Sequence, residues 1–157
     1  MPILPAEPDL FPADLLDTES PRSESAGRWW ALYTLPRREK ELMRRLRSVG
    51  VAHYAPLVAR RTRSPNGRTR QSFVPLFPSY VFLRGSETER YEALKTNCVS
   101  RCLEVEDEAS LLADLRQIRL LVGCGAPLTP EAQIRPGMRV RVRTGFLVGL
   151  EGTVIKR

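Results

Sequence analysis

The sequence predicts an α+β fold in which helices pack on a mainly antiparallel sheet, with elements in the order β-α-β-β-β-α-β-α. Two observations lead to this prediction. Short runs rich in aromatic and β-branched residues alternate with segments whose apolar residues recur at helical spacing. Between two such runs lies Asn66-Gly67, and this pair is a strong signal for a β-hairpin because both residue types tolerate positive φ. We therefore expect an α+β sandwich that carries a two-stranded arm.

The first elements are predicted from an aromatic run and the amphipathic segment after it. Residues 29–34, Trp-Trp-Ala-Leu-Tyr-Thr, are typical of a strand. Pro36 suits the first turn of a helix, where its missing N–H costs no hydrogen bond, and Gly50 is placed to end that helix. The helix would bury residues spaced i, i+4 and i+7, namely Leu42, Leu46 and Val49. Residues 51–58 are predicted as the next strand.

The Asn-Gly turn lies within a strongly basic segment. Residues 60–71 contain five arginines and no acid: Arg60, Arg61, Arg63, Arg68 and Arg70. The apolar stretch that follows, residues 73–83, is interrupted by Pro75 and Pro78. Because a proline cannot donate to a sheet, we expect a central strand only after Pro78, at residues 79–83.

The remaining elements of this domain are two helices and a strand. Residues 87–94 are predicted as a short helix and residues 99–105 as a strand. Residues 110–122 form a clear amphipathic helix, which Gly123 and Gly125 would end. Its apolar stripe consists of Leu111, Leu115, Ile118 and Val122. We therefore expect one domain over residues 28–125.

The C-terminal part is predicted to be a separate β segment. Residues 126–135 contain Pro127 and Pro130 and are expected to be a linker. Residues 139–143 alternate strictly between Arg and Val, as in a half-buried strand, and a second strand is expected near residues 152–157. The 22 residues of 136–157 hold two strands, whereas an SH3-like barrel needs roughly 40–55 residues. We therefore expect the segment to be the start of a truncated barrel.

Charge is distributed unevenly along the chain. Residues 1–27 carry six acids and one base, which gives them a net charge of −5. Because the net charge of the whole chain is +7, the other residues carry +12. The acidic segment also contains five prolines, and we expect a largely disordered tail that weakly masks the basic body, with Phe11 and Leu15 touching its apolar surface. A body this basic favours a polyanionic partner such as nucleic acid over a merely solvated surface.

Several function classes are disfavoured by what the sequence lacks. His53 is the only histidine, and no phosphate-binding loop or nucleophile elbow is present, so an enzyme is not expected. Cys98, Cys102 and Cys124 form no C-x-x-C pair, and therefore neither a disulfide framework nor a metal site is expected. No apolar run approaches the roughly 18 residues of a membrane span, and no signal peptide is recognisable. The expected compartment is the cytoplasm.

Two groups of residues are candidates for binding. Tyr80 and Phe82 share one face of their strand, and Val81 and Leu83 share the other. Because both faces are apolar, one must be covered, either by the core of the protein or by a partner. The first helix is mostly basic on its other face, and long cations without interleaved aromatic residues suit contacts to phosphates.

These residues also match a known family. Trp29-Trp30 with Tyr33, the basic helix, and residues 75–82 (Pro-Leu-Phe-Pro-Ser-Tyr-Val-Phe) resemble the N-terminal (NGN) domain of NusG-like transcription factors. Residues 95–100 continue the match. Residues 135–154, with Gly149, resemble a KOW motif.

The resemblance implies a protein that acts by binding, as a monomer and without a cofactor. It implies an apolar cavity that grips the clamp helices of the largest subunit of RNA polymerase, lined by Tyr33, Tyr80, Phe82, Leu115 and Ile118. It also implies contacts to upstream or non-template DNA from the region of the first helix and a following loop: Arg37, Arg38, Lys40, Arg44, Arg45, Thr96 and Asn97. A complete KOW domain would recruit a ribosome or a termination factor.

Two departures from the family pattern indicate a specialised role. Ser79 stands where housekeeping NusG has a glycine, and Cys98 stands where a glycine is common. With the arginine-rich arm, they make the chain similar to specialised paralogues of the RfaH or LoaP type, which suppress pausing or termination at selected operons. The alternative is a KOW-containing RNA- or ribosome-binding module, which the same positive charge would support.

Overall fold

The computed structural model describes residues 6–17, 27–124, 136–146 and 148–155. These residues belong to two compact units, 1–126 and 127–157, which are described separately. The first unit confirms the predicted α+β fold, with an antiparallel five-stranded sheet, a two-stranded ribbon and three helices in its described part. In chain order its elements are β1 (Leu10–Phe11), β2 (Arg28–Thr34), α1 (Glu39–Ser48), β3 (Ala52–Tyr54), β4 (Leu57–Arg63), β5 (Thr69–Pro75), β6 (Tyr80–Gly85), α2 (Glu87–Lys95), β7 (Val99–Glu104) and α3 (Glu108–Gly123).

The five-stranded sheet has the strand order β1-β3-β6-β2-β7 and buries residues on both faces. Side chains alternate between the faces along each strand. On the face that packs against α1 and α2, the buried cluster combines strand and helix residues: Trp30, Leu32, Leu42, Met43, Leu46, Val81, Leu83 and Ala93. On the other face, which α3 covers, Trp29 and Tyr54 pack with Leu115. We call these the α1 face and the α3 face.

Local sequence explains where α2 and α3 begin. The Ser86 hydroxyl accepts a hydrogen bond from the N–H of Thr88, and the Ser86 N–H donates to the Glu89 carboxylate, which together cap α2. A Cβ at Gly85 would lie 2.6 Å from the Cβ of Glu89, so the capping interaction requires glycine there. Asp107 caps α3 by accepting a hydrogen bond of 3.0 Å from the N–H of Ser110.

Residues 6–17, which we call the strap, are ordered, and for them the expectation of disorder is wrong. β1 pairs with β3 in the register Leu10↔Tyr54 and Phe11↔His53. Leu10, Leu15 and Leu16 are buried on the α3 face. A few leucines suffice here because Trp29, Tyr54 and Leu115 supply the rest of the apolar surface. The other residues of the predicted tail, 1–5 and 18–26, lie outside the described residues.

Three boundaries predicted for residues 36–58 differ from the structure. Helix α1 begins at Glu39, because Arg37 has a φ of 63° that no right-handed helix accommodates. Val49 follows the helix and is exposed instead of buried. Residues 51–58 do not form one strand, since the chain leaves the sheet at the buried Ala55-Pro56 step and starts the ribbon at Leu57.

The ribbon of β4 and β5 is the predicted arm. Its strands pair from Leu57↔Pro75 to Arg63↔Thr69. Pairing thus extends further than expected, because β5 is an edge strand, where a proline is tolerated.

The second unit contains two short strands, β8 (Arg139–Arg141) and β9 (Glu151–Thr153), which pair antiparallel. They lie near the predicted positions and are shorter than the predicted 139–143 and 152–157. Most of its described side chains are exposed, including Phe146 and Ile155. No helix in the described parts of the chain is long and apolar enough to cross a membrane.

Candidate functional site

Four aromatic side chains form a surface on the α3 face, which we call the aromatic patch: Tyr33, Phe77, Tyr80 and Phe82. Tyr33 of β2 lies opposite Tyr80 of β6, and their ring centroids are 5.2 Å apart with an edge-to-face interplanar angle of 67°. Phe77 and Phe82 pack in the same way, with centroids 6.1 Å apart at 87°. Tyr33 is 39% exposed and the other three residues are half-buried. The patch therefore presents apolar ring surface that the core does not cover.

Backbone hydrogen bonds hold this patch in place. Glu39, at the start of α1, is buried and accepts a hydrogen bond of 2.8 Å from the N–H of Ser79. The Ser79 carbonyl in turn accepts a bond of 2.8 Å from the N–H of Thr34. These bonds fix the turn before β6, and with it the positions of Phe77 and Tyr80 on either side.

Leu115 does not belong to the exposed surface, which corrects its prediction as a partner-binding residue. It is 1% exposed and packs α3 onto Trp29 and Tyr54. Its burial follows from its place at the centre of the apolar stripe of α3. Ile118 is half-buried. Phe82 connects the two regions, because it belongs to the aromatic patch and also packs against the cluster that contains Leu115.

The cations of α1 are largely paired within the protein. Arg38 and Arg45 both form ion pairs with Glu41, the latter at 2.9 Å, and these arginines hold the pKa of the Glu41 carboxyl below its usual value. Arg44 forms an ion pair with Glu7 of the strap. Lys40 is half-buried, and Arg37 lies exposed in the turn before the helix. The charge that this helix offers to a partner is thus smaller than its sequence suggests.

The loop at Thr96 and Asn97 lies beside the turn that holds Arg37. The N–H of Leu35 donates to the carbonyl of Cys98 at 2.8 Å, which joins the two connections at the end of β2. The Thr96 hydroxyl donates to the Ala93 carbonyl at 2.7 Å and is occupied within the fold. Asn97 is exposed and has a φ of 57°.

The arm differs from α1 in that its charges have no ion-pair partner among the described residues. None of its five arginines forms an ion pair within the part of the chain that the structure describes. These arginines are Arg60, Arg61, Arg63, Arg68 and Arg70. The register Arg60↔Ser72 and Thr62↔Arg70 places Arg60 and Arg70 on one face of the ribbon, and Arg61 and Arg63 lie on the other. Both faces of the arm are therefore cationic and exposed.

Two site residues were not predicted from the sequence. Phe77 is followed by Pro78 and Ser79, which belong to no strand, so the turn at Ser79 decides whether Phe77 packs on Phe82. Arg101 lies opposite Tyr33 in the register of β2 and β7, and the pattern of β7 alone does not reveal this neighbour.

The cysteines show no metal site in the described residues. No group of three His, Cys, Asp or Glu side chains lies together there. Cys98 is buried and contacts the Thr96 carbonyl at 3.5 Å. Burial raises the pKa of the Cys102 thiol, which favours the neutral form over the thiolate that binds metals.

Comparison with known proteins identifies one family. The model of the family described as "NusG: Transcription termination factor nusG" matches residues 27–120, more than half of the 157 residues. No curated protein matches the chain.

Proposed function

Because the chain belongs to the NusG family of transcription factors, we propose that it is an elongation and antitermination factor that binds RNA polymerase through the aromatic patch. The family is non-enzymatic, and its members generally bind RNA polymerase. The proposed target is the pair of clamp helices in the largest subunit. The observation that carries the proposal is the partly exposed, edge-to-face Tyr33–Tyr80 pair on the α3 face.

The chemistry of the patch supports a helical protein partner. Aromatic rings that are rigidly held and half-exposed bury a large area on binding with little loss of side-chain freedom. Tyr33 and Tyr80 also keep a hydroxyl for the polar rim of an interface. An amphipathic helix laid across the patch would cover the ring surface that α3 leaves open.

The proposed DNA contacts lie on α1, through Lys40 and Arg44, and in two further places. The first is the end of β2, where Arg37 and Asn97 are exposed on neighbouring connections. The second is the arm, whose unpaired arginines suit phosphate contacts along upstream or non-template DNA. A two-stranded ribbon has dimensions that fit the major groove of a duplex.

The proposed mechanism is differential binding. A protein that spans the polymerase cleft binds the closed clamp better than the open clamp, and the difference in affinity shifts the polymerase away from the paused state. Ser79, Cys98 and the arginine-rich arm support a specialised factor acting at selected operons. We further propose that a complete KOW domain contributes a ribosome or termination-factor contact.

A binding experiment with core RNA polymerase tests the patch. We expect Phe82→Ala to weaken binding by about 2 kcal/mol or more, as for a buried aromatic anchor, and Tyr33→Ala to weaken it by about 1 kcal/mol. Tyr33 is partly exposed, so its replacement leaves the core intact.

Tyr91→Ala is the matched control, because Tyr91 is a 60% exposed tyrosine on α2. It should bind like the unmodified protein. If Tyr33→Ala and Phe82→Ala remain folded and bind polymerase as tightly as Tyr91→Ala does, the patch is not the binding surface.

A further inference from the structure

The strap is bound to the domain by polar contacts to both α1 and α3. Arg44 makes a two-pronged contact with Glu7, in which its Nε lies 3.0 Å from Oε2. Arg47 donates to the carbonyl of Pro8, and Arg116 of α3 donates to the carbonyl of Leu16. Both ends of the strap thus accept hydrogen bonds from arginine guanidinium groups.

The charges of the strap and its seat are complementary. Residues 6–17 contain four acids and no base: Glu7, Asp9, Asp14 and Asp17. The hydrogen bond from Arg44 lowers the pKa of Glu7, and the charges of Arg44, Lys40 and Arg47 act in the same direction. Without the strap, these three side chains would form an uncovered basic surface on α1.

The contact at Glu7 has the chemistry of a phosphate contact. A guanidinium fork binds a carboxylate and a phosphate with the same paired geometry. Glu7 therefore stands where a backbone phosphate of nucleic acid could bind Arg44, a residue of the DNA surface that the resemblance implies.

We propose that the strap is an internal acidic ligand that competes with nucleic acid for the basic surface formed by Lys40, Arg44 and Arg47. This inference rests on the proposed function and adds its regulation. Binding of a polyanion to α1 displaces the first residues of the strap, and docking of the strap weakens binding of the polyanion. The coupling is reciprocal, because each ligand changes the affinity of the other by the same factor.

Two backbone amides report on the docked strap. The N–H of Ala55 donates to the Asp9 carbonyl at 3.0 Å, and the N–H of Leu57 donates to the Asp9 carboxylate at 3.3 Å. Displacement of the first residues of the strap, from Glu7 to Asp9, therefore frees both amides to exchange with solvent. The amide of Leu32, in the inner strand β2, serves as the internal reference.

The first experiment measures amide exchange of the whole chain with and without saturating short duplex DNA at low ionic strength. We expect exchange at Ala55 and Leu57 to be about fivefold faster or more with DNA, while exchange at Leu32 is unchanged. Unchanged or slower exchange at Ala55 in the DNA complex overturns the inference and leaves the proposed function standing. Absence of any duplex binding by the chain overturns both the proposed DNA contact and this inference.

The second experiment compares Glu7→Gln with Glu104→Gln in duplex DNA binding. Both variants remove one carboxylate that is paired with a surface arginine, but Glu104 lies on the far edge strand β7 and pairs with Arg28 of β2. We expect Glu7→Gln to bind duplex DNA about two- to fivefold more tightly, as for loss of one competing surface ion pair. Glu104→Gln should change the affinity by less than about 1.5-fold, because a distant exposed charge is screened. Equal effects of the two variants would show that only net charge matters, and would overturn the competition.

Discussion

Ser79 adopts a φ of 67°, in the left-handed region where a side chain carries a steric cost that glycine does not. Its N–H and carbonyl are both engaged, with Glu39 and Thr34, and these backbone bonds hold the residue in that conformation. The NusG-like sequence pattern has glycine at this position, and the positive φ explains why glycine is favoured there.

We expect Ser79→Gly to stabilise the protein by about 0.5–1 kcal/mol. Relief of the left-handed strain contributes about 1–2 kcal/mol, and the greater freedom of glycine in the unfolded chain offsets about half of it. Chemical denaturation measures the change in the free energy of unfolding. Ser79→Ala, which keeps a Cβ, should show no gain; an equal gain in both variants would mean that the strain is not the cause.

We expect the buried His53 to make folding stability dependent on pH. The ring is fully buried, its Nδ1 lies 2.9 Å from the Val51 carbonyl, and Phe11 of the strap stacks on it with ring centroids 6.1 Å apart. Burial lowers the pKa of His53, and the charge of Arg47 acts in the same direction. The neutral imidazole is therefore the form that the fold accommodates.

We expect the free energy of unfolding to decrease as the pH falls below about 6.5, the ordinary pKa of histidine. The folded-state pKa lies below the unfolded one, so the unfolded chain takes up the proton first and is favoured in acid. Denaturation midpoints at pH 7.5 and pH 5.5 measure the effect. His53→Gln should lower stability at both pH values yet lose most of the difference between them; an undiminished difference would assign it to other groups.

At the residue scale, alternation along single strands was predictable and long-range neighbours were not. Tyr80 and Phe82 share a face opposite Val81 and Leu83, as a period of two requires. The burial of Leu115 depends on Trp29 and Tyr54, which come from two other elements. A helical stripe shows which side of α3 is buried, and it does not show which of its residues a partner can reach.

At the element scale, the arm concentrates positive charge that the fold does not neutralise. Arg60 and Arg70 share one face, and neither has an ion-pair partner in the described residues. Arg38 and Arg45 of α1, by contrast, share Glu41. A phosphate that binds Arg38 or Arg45 must therefore compete with Glu41.

We expect replacement of Arg60 and Arg70 with Gln to flatten the log–log salt dependence of DNA binding by about two units, one for each lost phosphate contact. The double replacement Arg38→Gln and Arg45→Gln should flatten it by less than one unit. Equilibrium binding at several salt concentrations gives both slopes. The arm is not the main phosphate contact if the α1 pair has the larger effect.

The sequence predicted the elements with strong local signals and missed the boundaries that tertiary contacts decide. The arm followed from Asn66-Gly67, and α3 followed from its apolar stripe. The break between β3 and β4 depends on Asp9, which accepts hydrogen bonds from Ala55 and Leu57. Because Asp9 lies more than forty positions away in the chain, no local pattern at residues 51–58 could indicate it.

At the scale of the first unit, the strap joins both layers that cover the sheet. Its polar contacts reach Arg44 and Arg47 of α1, while Leu15 and Leu16 are buried with Leu115 of α3. The segment was predicted as disordered because its own composition cannot form a core. Its order comes from apolar surface elsewhere in the domain, which composition does not report.

We expect Leu16→Ala to destabilise the protein by about 2 kcal/mol or more, because it removes a side chain that is only 3% exposed. Leu120→Ala on α3 is the matched control, since Leu120 is 71% exposed. This replacement should change the free energy of unfolding by less than about 0.5 kcal/mol. Chemical denaturation of both variants gives the comparison. Similar small losses would indicate that the strap is not part of the cooperative fold.

The strap also determines how the sheet ends. An uncovered β3 would offer its outer N–H and C=O groups to a strand from another chain, as exposed sheet edges do in aggregation. β1 covers that edge with two residues between Pro8 and Pro12, and a proline has no N–H with which to extend a ladder. If displacement by nucleic acid extends to β1, the edge of β3 becomes available for as long as the complex lasts. Self-association in the DNA-bound state is then a hazard that the docked strap prevents in the free protein.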